Sequence, residues 1–282
     1  MSNTKKQLMT AIAMLVVAAL ALGTSTYAWF VSNTTVKVDE MTFTAQTVDN
    51  LEIALTTTAW DGSFTATNAT AAGFKTLITS QELSDLYVAK SASLTGSALI
   101  PASTINGQSF WRVADGDSSW ETQLGTGLTV AKTFTNVTNI SDNSVKAIPL
   151  FLKSTTNTSI YLANTTTVAG AAAPAARIAI VENASSTKFI WAPSTAHIDD
   201  NKITTINDAD GITNAVSGAN NTGAISPSVS QTMPTGEILQ LTANQPKLVM
   251  VYIWLEGCDV DCVSGLSAKD LTVNLAFTSQ AV

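Results

Sequence analysis

The segment "DLTVNLAFTS", residues 270–279, most constrains what this chain can fold into. Leu271, Val273, Leu275 and Phe277 alternate with Thr272, Asn274, Ala276 and Thr278. That period of two suits a strand with one face buried, because successive side chains of an extended backbone point to opposite sides. A helix would scatter the same residues around its axis. A second segment, "KLVMVYIWLE", is apolar at every position from Leu248 to Leu255 and rich in β-branched and aromatic residues. Such a run predicts a central strand, or one covered on its outer face by a partner.

Further strands are predicted at "NLEIALTT" from Asn50, "GLTVAKTFTNVTNI" from Gly127, "VKAIPLFLKST" from Val145, "TSIYLANTT" from Thr158, "ARIAIVE" from Ala176, "TKFIWAP" from Thr187 and "EILQLTA" from Glu237. Asp61-Gly62, between Trp60 and Phe64, reads as a type I′ hairpin turn, in which both central residues need positive φ. Asp115-Gly116 is a second candidate. "SQELSDLY" predicts one short helix with Ser80 as N-cap and Leu83, Leu86 and Tyr87 on one face. Residues 165–176 and 207–236 are small, polar and punctuated by Pro or Gly, and read as surface excursions. The expected fold is an all-β, jelly-roll-like antiparallel β-sandwich with long loop insertions, behind an N-terminal signal or hydrophobic helix.

Composition narrows the function. Of 282 residues 45% are hydrophobic and only 12% charged, with a formal charge of −7. No basic cluster lies beyond Lys5-Lys6, which argues against nucleic acid as a partner, since phosphates need Lys or Arg to displace their counterions.

The first 28 residues have the parts of an export leader. Lys5 and Lys6 precede an apolar run from Leu8 to Leu22, and Thr26-Tyr27-Ala28 forms a short exit. The run is about 15 residues, against the roughly 20 needed to cross a bilayer core. Cleavage between Ala28 and Trp29 is expected; a leader extended through Phe30 and kept as an anchor is the alternative. The junction "GTSTYAWFVSN" resembles that of the TasA/camelysin (CalY) family of exported Gram-positive proteins. Thr26, Tyr27, Ala28 and Phe30 fall on that family's Thr-aromatic-Ala-x-Phe positions, with Ser32 where the family has Asp. The resemblance covers about the first 45 residues. It implies processing by a SipW-type signal peptidase and an extracellular place at the cell surface or in a biofilm matrix.

The segment after the junction has an unusual pattern. In "TTVKVDEMTFTAQTV", Val36 and Val38 share one face, whereas Met41, Phe43 and Ala45 carry the opposite parity. The flip at Asp39-Glu40 requires a β-bulge, or a strand whose two halves bury different faces. In the first case it is an N-terminal strand of its own sheet. In the second, residues 29–48 form a donor strand that completes a neighbouring subunit's sheet, as the family resemblance implies, with residues 49–282 as the sandwich. Val36, Val38, Met41 and Phe43 are the candidate donor residues.

Enzymatic constellations are almost excluded by inventory. His197 is the sole histidine, so no site with two His ligands can form. It lies beside Asp199 and Asp200, but no nucleophile motif accompanies it and a solvated loop histidine is the simpler reading. No phosphate loop, dinucleotide fingerprint or Gly-x-Ser-x-Gly elbow is present, and no cofactor is expected. In "WLEGCDVDCVSG", Cys258 and Cys262 read as a small-loop disulfide in an exported protein. The competing reading is a cation site built from Glu256, Asp259 and Asp261. Trp254, Glu256, Gly257, Asp259 and Cys262 also resemble an element of exported proteins from Clostridia-like bacteria. Trp111 and Trp120 flank a turn and are either a cross-strand core pair or a sugar platform.

The sequence therefore predicts a secreted, non-enzymatic subunit that polymerises with itself into a cell-surface or biofilm-matrix fibre through its N-terminal strand. Its expected partners are its own copies, a signal peptidase and other matrix or cell-wall components. The alternative is a monomeric surface adhesin or carbohydrate-binding module.

Overall fold

The computed structural model describes residue 14 and residues 36–282, except 49, 58, 72, 93–97, 105, 114–133, 195–204, 208–212, 216–228, 258, 260 and 263–268. The chain divides into two compact units, Met1–Ser32 and Asn33–Val282. The strands of the second unit are β1 (Val36–Thr47), β2 (Leu51–Leu55), β3 (Leu77–Ile78), β4 (Ala98–Leu99), β5 (Ala102–Thr104), β6 (Phe110–Val113), β7 (Phe134–Val137), β8 (Val145–Ser154), β9 (Thr158–Leu162), β10 (Thr167–Ala169), β11 (Ala176–Glu182), β12 (Ser186–Trp191), β13 (Thr205–Asn207), β14 (Thr213–Ala215), β15 (Val229–Ser230), β16 (Leu239–Leu241), β17 (Lys247–Leu255) and β18 (Lys269–Ala281). Helix α1 (Ser80–Val88) lies between β3 and β4.

The fold is all-β and sandwich-like. One sheet runs β16-β9-β18-β1-β3, with β10 also on β18 and β4 also on β1; a second runs β15-β12-β11-β17-β8-β2. Both are mixed rather than purely antiparallel, because β1 lies parallel to β18 and β15 parallel to β12. A three-stranded sheet, β5-β6-β7, forms a further layer.

The C-terminal alternation becomes β18, in which Leu271, Val273, Leu275 and Phe277 are buried. The doubly apolar run becomes β17, between β11 and β8. Its residues from Val249 to Leu255 are all buried, and its own chain supplies the outer cover. Tyr252 and Trp254 meet Phe110 with ring centroids 5.3 and 5.1 Å apart, and Phe64 lies 5.3 Å from Tyr252. The intervening residues Val249, Val251, Ile253 and Leu255 point to the other face, into the sandwich.

Pro149 stands within β8 opposite Met250, where a ladder normally needs an N–H. Ser154 O accepts from Asn244 on the β17 side, whereas Ala147 O accepts from Tyr87 on the other flank. By alternation the Pro149 nitrogen faces the β2 flank, and β2 pairing already ends at Leu150. No ladder bond is lost.

Several sequence expectations need correction. Asp61-Gly62 is not a type I′ hairpin: Gly62 has φ +83 but Asp61 is not in the left-handed region. Asp61 Oδ1 instead accepts from Ser63 N–H in an Asx-type turn, and Trp60 and Phe64 are buried from an irregular loop. The turn with two positive φ values is Asn183-Ala184, joining β11 to β12. Residues 165–176 are only in part a surface excursion: Thr165, Thr167 and Ala169 to Ala171 are exposed. They contain β10, and Ala172, Ala175 and Ala176 are fully buried, because small side chains let this backbone lie close against β18. The helix forms as expected on Leu83, Leu86 and Tyr87, but its N-cap is Thr79. Asp115-Gly116, Trp120, His197 and most of 207–236 lie outside the described residues.

Candidate functional site

The candidate strand, β1, occupies an interior place in its sheet. Its main chain pairs with β18 in a parallel register from Val38 opposite Lys269 to Thr47 opposite Phe277. On its other flank β4 pairs with Val36 and Lys37, and β3 with Ala45 and Gln46. The register shifts between Val38 and Glu40, so the parity flip at Asp39-Glu40 is a β-bulge. Met41, Phe43 and Ala45 are buried to within 1%. In this subunit β1 is thus a strand of its own sheet, and the backbone of Val36 and Val38 is paired there too.

The outward residues of β1 form a polar ladder with β18. Thr42 Oγ1 donates to Thr272 Oγ1 at 3.0 Å, and Thr44 Oγ1 donates to Asn274 Oδ1 at 2.5 Å. Asn274 Nδ2 then donates to Thr167 Oγ1 of β10 at 3.2 Å. These bonds fix the register of a parallel pair from its wet side, while the apolar residues fix it from the dry side. Past Thr47 three residues lead to β2, in the opposite sheet. Apart from that link, β1 is held to this unit by main-chain pairing, side-chain hydrogen bonds and packing.

The acidic loop after β17 is built around a buried ion pair. Asp259 forms an ion pair with the Arg177 guanidinium, both side chains fully buried. Arg177 Nη1 also donates to Ala176 O at 3.1 Å, and Asp259 Oδ1 accepts from Asp261 N–H at 2.9 Å. Glu256 is buried too, and Trp254 Nε1 donates to its Oε2 at 3.3 Å. Asp259 is therefore committed to a cation of its own chain. Among the described residues no group of three His, Cys, Asp or Glu side chains is arranged to hold a metal ion. Cys262 is buried, and its expected disulfide partner Cys258 lies outside the described residues, as do Ala28 and Trp29.

Two features escaped the sequence reading. Arg177 is the lone charge inside the apolar stretch "ARIAIV", a signal that a buried counter-ion must exist somewhere in the chain. Ser80 carries no comparable signal, although its hydroxyl bonds the β1 main chain. No protein-family model and no curated protein matches this chain.

Proposed function

We propose that this chain is an exported, non-enzymatic structural subunit that polymerises into a cell-surface or biofilm-matrix fibre, with β1 as the strand passed between copies. The observation that carries the reading is the position of β1. It begins seven residues after the expected leader junction and fills an interior place in a sheet with three core side chains. Its covalent link to the sandwich is three residues long and leads into the other sheet. A strand of that kind is exchangeable: the groove that receives it in one copy receives the same strand from another, with the same main-chain bonds and the same pockets. The register against β18 specifies the match. The resemblance of the leader junction to the TasA/camelysin family supports export, signal-peptidase processing and self-association. A single histidine in the whole chain supports a role without catalysis.

Negative-stain microscopy of the purified mature chain tests the reading. Filaments are expected from the chain beginning at Trp29, and a chain lacking residues 29–46 should form none while retaining β-rich circular dichroism when the missing strand is added as a peptide. Dispersed particles at high concentration, in the intact mature chain, contradict it.

A further inference from the structure

The flank of β1 away from β18 is closed in pieces. β4 covers Val36 and Lys37 and β3 covers Ala45 and Gln46. Between them the first residue of α1 intervenes. Phe43 N–H donates to Ser80 Oγ at 3.0 Å, and Ser80 Oγ donates to Phe43 O at 2.7 Å. One hydroxyl supplies both bonds that a neighbouring strand would supply to that residue.

The helix carrying Ser80 is fastened at both ends. Thr79 and Glu82 form a capping box at its N-terminus, and Glu82 is ion-paired with Lys75. Capping by Thr79 leaves the Ser80 hydroxyl available to the strand. Near its other end Tyr87 Oη donates to Ala147 O of β8 at 2.8 Å, in the opposite sheet. Leu83, Leu86 and Tyr87 anchor the helix between these contacts. α1 is a strap that runs from β1 in one sheet to β8 in the other.

We propose that Ser80 is a latch that retains β1 in its own subunit and so controls how readily the strand is surrendered to a second copy of this chain. A strand leaving its sheet must break bonds on both flanks. The bonds on both flanks open in the donor and are re-formed in the copy that receives the strand, so the Ser80 pair sets how often β1 opens rather than which copy finally holds it. Removing the pair raises the population of the open form. The role in assembly rests on the strand-donation reading above, whereas the retention of β1 can be measured without it.

The test is amide hydrogen exchange on the mature protein. Phe43 and Thr47 direct their N–H groups to the Ser80 and β3 side, so by alternation Thr42 and Thr44 direct theirs to β18. In Ser80→Ala the amides of Thr42 and Thr44 are expected to exchange about tenfold faster or more, the effect of two ordinary hydrogen bonds on a local opening. Ser80→Thr, which keeps the hydroxyl, should stay near the parent rate. Tyr87→Phe removes the strap's bond to β8 while keeping the ring. It should shift the same amides in the same direction, and it carries the test if Ser80→Ala does not fold. Faster exchange at Phe43 alone, with Thr42 and Thr44 unchanged, overturns the latch and leaves Ser80 as a cap on one residue. Filament growth is read in parallel. Accelerated exchange at Thr42 and Thr44 without filaments in any variant upholds the latch and contradicts strand donation instead.

Discussion

Lys146 is 2% exposed in β8, opposite Ile253 and on the face that β17 turns into the sandwich. Its Nζ lies 5.8 Å from the centre of the Tyr87 ring and donates to Asn143 Oδ1 at 3.5 Å. Burial lowers its pKa from 10.5 to about 8. The folded protein therefore binds fewer protons here than the unfolded chain between about pH 8 and 10.5. Stability should rise as pH increases through that window, and the full cost of the buried charge is present below it. Lys146→Met should flatten this dependence, read from urea unfolding at pH 7 and pH 10. Gly170 presents the opposite case, a residue that must stay small. It has φ +108, and a Cβ would stand 2.4 Å from the Asp270 carbonyl oxygen, whose carbonyl accepts from Ala172 N–H. Gly170→Ala should cost about 2 kcal/mol or more and loosen β10 from β18, visible as faster amide exchange at Thr167 and Ala169.

At the scale of elements, the loop after β17 is tied to β11 by the Arg177–Asp259 pair. Removing one partner leaves a buried charge, so Asp259→Ala should destabilise by about 3–5 kcal/mol. Replacing both, as Arg177→Met with Asp259→Leu, should recover most of that loss in urea unfolding, because the double change removes both members of the pair. Elements with a strict period were legible in the sequence. β18 and β17 follow from their apolar pattern, α1 from its i, i+3, i+4 face, and the bulge in β1 from the parity of Val36 and Val38 against Met41 and Phe43. Partnerships were not legible, because pairing is decided by residues far apart in the chain. Nothing local says that β1 lies parallel to β18, some 230 residues away, or that Phe110 covers β17. The buried end of residues 165–176 was illegible for a related reason: small side chains such as Ala172 and Ala175 signal a loop when read alone, yet they permit close packing when a strand lies beneath. The candidate site followed the same division. Its strand and bulge could be read from composition and parity, while Ser80 and Arg177 enter through tertiary contacts.

At the scale of the molecule, β1 and β18 lie side by side at the middle of one sheet, and the central strands of the second, β11 and β17, are buried on both faces by their own chain. The second sheet, centred on β17, takes its cover from its own chain. The first sheet contains β1, which has a short covalent tether and a self-complementary groove. This division gives a subunit with a permanent body and a transferable part, the arrangement on which the proposed fibre depends. Thr42 and Thr272 face each other across the parallel pair, with their hydroxyls 3.0 Å apart, close enough for a disulfide between cysteines at these positions. The most direct measurement mixes the Thr42→Cys chain with the Thr272→Cys chain under assembling conditions and identifies the oxidised products by peptide mapping. Strand exchange predicts a disulfide joining the two different chains at positions 42 and 272, increasing as filaments form. A bond that forms only within a chain carrying both substitutions, and never between chains even where the subunits are associated, contradicts strand exchange.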